Sequence, residues 1–291
     1  MLSIIKDKSK IYKMKKGDRL YININGTKKY QTQSSICPKI VGTSIIVKVL
    51  KTPKGIKIVK LKNTELAKLQ GYDIPKRFNQ KEYKYMNRVI GNSIPGPVLT
   101  KQIKRIKREL GLYRISIGAI GTYGLENYEL VKHDFKFGVL PSHINNNYLN
   151  QDKIIDTMNR NFPQNNKLYN PTNYHNEKVN LLIYKSDCRY GSTINRNRSS
   201  DFQENYRINF IEEVNDIYDN YISKYEPDRL FIELPVNFNH NSLSKLNKDK
   251  KNIFQSVFKK YRLKYNYLDT TLNYKLTQNR KFYIMDFELR E

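Results

Sequence analysis

Tryptophan is absent, cysteine occurs twice and histidine four times in 291 residues. Two cysteines as far apart as Cys37 and Cys188 make neither a disulfide framework nor a cysteine-ligated zinc site. If either has a role, it is as a thiol. The four histidines carry no metal-ligand spacing, so no metal is expected. No apolar run approaches the ~20 residues needed to span a bilayer, and the opening MLSIIKDKSK holds too short an apolar stretch for a signal peptide. A soluble, intracellular protein is expected. Internal repeats and low-complexity linkers are missing too, and the length suits one large domain or two modest ones. Acidic residues are scarce, 27 against 53 lysines and arginines, which leaves a net charge of +26. Solubility requires far less, and a polyanionic partner, nucleic acid first, follows from the excess. The joint enrichment of Lys, Asn, Ile and Tyr also fits an AT-rich coding bias.

The β-branched runs LYINI (20–24) and IIVKVL (45–50) predict a small antiparallel element. NTELAKLQ (63–70) predicts a short helix capped by Asn63 or Thr64 and closed by Gly71. A Gly-Asn-Ser turn (91–93) then leads into a basic helix over 97–110. Beyond it strands alternate with helices: RISIGAI (114–120), a helix over 151–162, KVNLLIY (178–184), a helix over 208–225, DRLFIEL (228–234), a helix over 250–263, and closing strands over 265–271 and 282–287. This alternation predicts an α/β fold with a parallel sheet. Ligands bind beyond the carboxyl ends of such strands, so the residues after Ile120, Tyr184 and Glu233 are where chemistry belongs.

TELAKLQGYDIPKRF followed by YMNRVIGNSIPGPV resembles the last two sequence blocks of the DNA cytosine-5 methyltransferases. The remainder resembles the front of the same family. SIGAIGTYGLE (116–126) is similar to its opening glycine-rich strand and turn, DKIIDTMNRNFP (152–163) to the helix ending in Asn-Phe-Pro, and VNLLIYKSDCRYGS (179–192) to the block bearing its cysteine. EPDRLFIELPVNF (226–238) stands at its Glu-Asn-Val block, and LTQNRKFYIMDF (276–287) at its Gln-Asn-Arg block. The resemblance covers about residues 36–291 with the order circularly permuted. It implies a Rossmann-like fold dependent on S-adenosylmethionine. It further implies a small β-rich remnant of the recognition region over 1–58 and a catalytic domain over 59–291, late motifs at 59–110 and early motifs at 111–291. Most of the recognition region has no counterpart here.

By this resemblance Cys188 is the nucleophile that adds to C6 of cytosine, giving C5 the carbanion character it needs to take a methyl group. Glu233 holds the N3 and N4 edge and protonates N3. Arg280 is the cation that keeps the sulfur ionised and orients the base. The base must leave the duplex to reach these groups. Gly118, Gly121, Asn92, Ser93, Asn150 and Asn170 fall at cofactor-binding positions. The sequence departs from the family in reading Ser186-Asp187-Cys188-Arg189 for Pro-Pro-Cys-Gln, and Leu234-Pro235 after the glutamate. Asn stands at 150, 170 and 180 in place of acids. Two function classes therefore remain open. One is a DNA cytosine-5 methyltransferase of the restriction-modification type, as one subunit of a split enzyme whose partner supplies target recognition. The other is a catalytically inactive, methyltransferase-like DNA-binding or regulatory subunit.

Overall fold

The computed structural model describes residue 13 and residues 19–24, 45–73, 90, 93–122, 125–139, 178–186, 199–235, 240–270 and 281–290. The helix expected over 151–162 lies outside them. The chain divides into two compact units, residues 1–101, 123–128 and 270–280 in the first, and 102–122, 129–269 and 281–291 in the second.

In the first unit, β1 (Arg19–Ile24), β2 (Ile45–Thr52) and β3 (Gly55–Lys60) form an antiparallel sheet in that order. Alternation puts Leu20, Ile22, Val47 and Val49 on one buried face, with Ile58 packed against them. β3 escapes a reading of periodicity because four of its six residues are exposed. It is held by its antiparallel ladder with β2 from Val47↔Lys60 to Thr52↔Gly55, set up by a turn in which Thr52 Oγ1 donates to the Gly55 carbonyl at 2.8 Å and Gly55 takes φ +109°. Helix α1 (Asn63–Leu69) follows. The expected caps Asn63 and Thr64 lie inside its first turn, and the turn is closed by Glu65 Oε2, which accepts from the Lys62 N–H at 2.9 Å. Gly71, at φ +82°, ends the helix as expected.

That ending is locked onto the Gly-Asn-Ser segment. Gln70 Nε2 donates to the Ile90 carbonyl at 3.0 Å, the Gly96 N–H donates to the Gln70 carbonyl at 2.9 Å, and the Tyr72 hydroxyl donates to the Ile94 carbonyl. A Cβ on Gly71 would lie 2.3 Å from the Pro97 ring. The sequence blocks LQGY and IGNSIPGP thus meet in space.

Helix α2 (Gly96–Glu109) begins in the first unit and ends in the second. The second unit is built on a six-stranded sheet of β4 (Ser116–Ile120), β5 (Asp134–Val139), β6 (Leu181–Lys185), β7 (Arg229–Pro235), β8 (Tyr261–Thr270) and β9 (Lys281–Leu289), in the order β5-β4-β6-β7-β9-β8. β5, β4, β6 and β7 run parallel, and β9 pairs antiparallel with β7. This is the Rossmann-like, parallel-rich sheet that the sequence predicts. The chain moves outward from β4 to β5 and then returns to β6 on the other side of β4, so the switch point lies between β4 and β6. A short helix α3 (Glu126–Leu130) separates β4 from β5, and neither α3 nor β5 was expected from the sequence.

Helices α4 (Ser200–Ile217) and α5 (His240–Val257) cover one face, with Phe210, Val214, Ile217 and Phe254 packed on Leu182, Tyr184, Met285 and Phe287. α4 starts eight residues before the expected position because Ser199 caps it, its hydroxyl accepting from the Phe202 N–H. It then passes through a π turn, Tyr218–Ile222. α5 stops at Val257, short of the expected residue 263, because Phe258 is drawn into the core and Tyr261 already opens β8. Among the described residues no helix is long and apolar enough to cross a membrane.

The opposite face of β9 presents Asp286, which is fully buried. Arg229, the first residue of β7 and also fully buried, grips it with two bonds, Nε to Oδ1 at 2.9 Å and Nη2 to Oδ2 at 2.5 Å. Nη1 of Arg229 reaches Glu109 Oε2 at 2.8 Å, and Arg105 of α2 bonds both Asp286 and Glu109. Burial alone would raise the Glu109 carboxyl, but the bond from Arg229 and the charges of Arg105 and Arg229 hold it at about 2, against an ordinary 4.5.

Asp286→Asn should lower unfolding free energy by about 3–5 kcal/mol in urea titrations, because it removes the buried counter-charge of the Arg229 guanidinium. The pair Arg229→Met with Asp286→Leu should recover most of that loss. Glu109 has a depressed native value, so its contribution is complete above pH 4.5 and disappears as pH falls towards 2. Between those limits the urea midpoint should fall, and Glu109→Gln should flatten that fall.

Candidate functional site

The two ends of the parallel strands differ in kind. At the amino end Asn180 is used as a clip. Its Oδ1 accepts from the Ser116 N–H at 3.1 Å and from the Ser116 hydroxyl at 2.8 Å, and its Nδ2 donates to Asp228 at 2.8 Å. One amide therefore ties the starts of β4, β6 and β7 together. The residue expected to stand for an acid of the resemblance is here a neutral crosslink.

At the carboxyl end, β4 turns at Gly121, which has φ +72° and donates its N–H to the Val139 carbonyl at 2.8 Å. A Cβ at this position would lie 2.4 Å from the Lys185 carbonyl oxygen. Only glycine lets the turn after β4 press against the end of β6 at the switch point. Next to that turn, Lys185 of β6 pairs with Glu233 of β7, and the Ser186 N–H donates to the Glu233 carbonyl at 3.2 Å. Glu233 is 2% exposed, and Lys185, Ser186 and Lys250 are buried with it. Lys250 comes from α5, and its Nζ lies 3.4 Å from the Ser186 hydroxyl and 4.9 Å from the centre of the Phe210 ring. An acid and two lysines are thus removed from water at the carboxyl end of the sheet, the end at which such sheets place their ligands.

Of the residues picked from sequence, Gly121 and Glu233 are brought to this edge. Gly118 sits within β4, where a Cβ would lie 2.6 Å from the Phe137 ring, so its bare backbone makes room for that aromatic. Ser93 is fully buried in the first unit, and its hydroxyl accepts from the Leu125 N–H at 2.5 Å. Cys188, Arg280, Asn92, Asn150 and Asn170 lie outside the described residues; Cys188 is two positions beyond Ser186. Lys185, Ser186 and Lys250 were missed in the sequence. Lys185 carried a signal in being the first polar residue after LLIY, whereas Lys250 is hidden in the run Lys248-Asp249-Lys250-Lys251.

An open groove of about 540 Å³ lies at the other end of the sheet, lined by Leu110, Asp228, Arg262, Glu288, Leu289 and Arg290. It is a strand length away from the buried carboxylate and shares none of its groups. Among the described residues no cluster of His, Cys, Asp and Glu could hold a metal ion. The positive-φ glycine turn stands at the switch point, where Rossmann-like sheets place their ligands.

No protein-family model and no curated protein matches the sequence. Among solved structures, the chain is similar to a protein described as a DNA modification methyltransferase encoded within an E. coli prophage, at 13% identity and a TM-score of 0.40, covering 60% of this chain and 47% of that one. It is similar to the Entamoeba histolytica methyltransferase EhMeth at 13% identity and a TM-score of 0.37, covering 61% and 54%. It is also similar to the plantazolicin methyltransferase BpumL in complex with SAH at 13% and 0.38, covering 78% and 95%. The chain spans about half the length of the first two. Likenesses this distant fix neither a reaction nor a substrate.

Gly121→Ala should destabilise the protein by about 2–4 kcal/mol in thermal or urea unfolding, since left-handed backbone strain adds to a contact with a carbonyl that cannot move aside. Gly111→Ala is the control. That residue has φ +64° but open space around its Cα, so strain alone applies and about 1 kcal/mol is expected.

Proposed function

We propose that the chain is an S-adenosylmethionine-dependent methyltransferase acting on C5 of cytosine in DNA, with its motif order circularly permuted, and that it works as one subunit of a split enzyme. The observation that carries this reading is the burial of Glu233 at the carboxyl end of β7, beside the glycine turn at the switch point and one strand from the segment leading to Cys188. The permuted order is supported by the contact between the Gly-Asn-Ser segment and the residues just after β4, where Ser93 accepts from the Leu125 N–H. It is supported again by the locked LQGY and IGNSIPGP blocks.

In this reading a cytosine turned out of the stack enters at the carboxyl edge. The Cys188 sulfur adds to C6 while Glu233 holds the N3 and N4 edge and gives a proton to N3, so the electron pair accumulates at C5. S-adenosylmethionine supplies the methyl group that C5 takes. Loss of the C5 proton then expels the thiolate. By the resemblance the Gly121 turn serves the cofactor, and Arg280 is the cation that keeps the thiol ionised. Target choice in this reading falls to a second methyltransferase subunit.

Calorimetry should give saturable binding of S-adenosylmethionine by the chain alone. Duplex DNA carrying 5-fluorocytosine should trap a covalent adduct in the presence of cofactor, because fluorine blocks the elimination. Cys188→Ser should abolish the adduct, and Glu233→Gln should slow methyl transfer by about 10²–10⁴-fold, both with cofactor affinity nearly unchanged. Absence of both cofactor binding and adduct would overturn the reading in favour of a non-catalytic DNA-binding or regulatory subunit.

A further inference from the structure

The second half of α2 and the loop after it carry Lys104, Lys107, Arg108 and Arg114 together with Tyr113, which is 87% exposed. Lys104 and Arg108 stand one turn apart, about 5–6 Å between Cβ atoms, while Ile103 and Ile106 of the same helix are buried. The Lys107 Nζ lies 5.5 Å from the centre of the Tyr113 ring. None of the four cations makes an ion pair with another described residue, whereas Arg105 between them is committed to Asp286 and Glu109. The helix thus divides its charges between a buried network and a water-facing row. Cations in a last turn offset the helix dipole by about 0.3–1 kcal/mol, which accounts for Lys107 and Arg108. It accounts for neither Lys104, Arg114 nor a large ring left in water.

This row belongs to the amino end of the sheet, because Glu109 meets Arg229 at the start of β7 and Arg114 stands two residues before β4. It is separated from Glu233 by roughly the length of a strand, about 15 Å. We propose that it is a second DNA-binding surface, a seat for the phosphate backbone of duplex DNA distinct from the pocket for the reacting base. Charge complementarity selects the occupant. The chain carries +26, and closely spaced cations with no ion-pair partner among the described residues match a polyanion whose binding releases counterions. The inference rests on the DNA reading above for the nature of the polyanion. Its role is anchoring without sequence choice, since phosphate contacts position a protein and carry no base information.

The test compares two triple variants with equal loss of charge, Lys104→Gln/Arg108→Gln/Arg114→Gln and, as control, Lys54→Gln/Lys57→Gln/Lys60→Gln on β3 and its turn. Affinity for a fluorescein-labelled duplex of arbitrary sequence is measured across ionic strength. The α2 variant should lower the slope of log K against log salt by about 2.7, three contacts at about 0.9 each, equally for unrelated sequences. The control should change it far less. Equal effects of the two variants, or an unchanged slope in the α2 variant, would overturn the proposal. S-adenosylmethionine binding by the α2 variant should equal that of the parent chain, so failure of this surface and failure of the methyltransferase reading give different results.

Discussion

The arrangement of the second unit depends on the Arg229–Asp286 pair. A guanidinium with no exposed surface can exist only where its charge and its donors are met, and here two carboxylates and three elements must be in place to meet them. β7 supplies the arginine, β9 the aspartate, and α2 both Glu109 and Arg105. Such a pair adds little net stability compared with apolar residues of similar size, because desolvation offsets most of the attraction. What it does is make wrong arrangements costly. A slip of β9 by one residue would turn Asp286 to the face of Met285 and Phe287 and leave Arg229 buried alone.

The amino end of the sheet is therefore saturated with bonds that serve the fold, Arg229 with Asp286 on one side and Asn180 with Ser116 and Asp228 on the other. The carboxyl end differs. There a glycine turn lets β4 and β6 close on each other, and charged side chains are buried near a chain segment that carries a cysteine.

Strand and helix alternation was legible wherever periodicity was strong, as in SIGAI, LLIYK and RLFIELP, because parallel strands buried on both faces read as continuous apolar runs. β3 was not, since half-exposed GIKIVK carries no clear alternation, and α4 was underestimated because its first two turns are polar and only Ser199 marks the start. Of the candidate site, the strand-end positions of Glu233 and Gly121 were legible, an acid and a glycine at the ends of apolar strands. Lys250 was not, for a buried lysine in a chain this basic looks like its solvated neighbours until the packing against Phe210 is known. Nor could sequence tell that Gly118 is bare to admit Phe137, a contact between residues that only the pairing of β4 with β5 brings together.

The same network joins residues far apart in the chain. α2 lies about a third of the way along the sequence, yet Arg105 meets Asp286 across 181 residues and Glu109 meets Arg229 across 120. Enclosing so much chain costs little more than enclosing a shorter stretch, because loop-closure entropy rises only logarithmically with the length enclosed. These contacts are set by the folded geometry, in which the buried Ile103 and Ile106 face and the ion pairs hold α2 together. The constraint falls on the connection alone. Leu110–Ile115 must carry the chain from the end of α2 directly into β4, and Gly111, at φ +64° with no neighbour to obstruct it, supplies the reversal that so short a link requires.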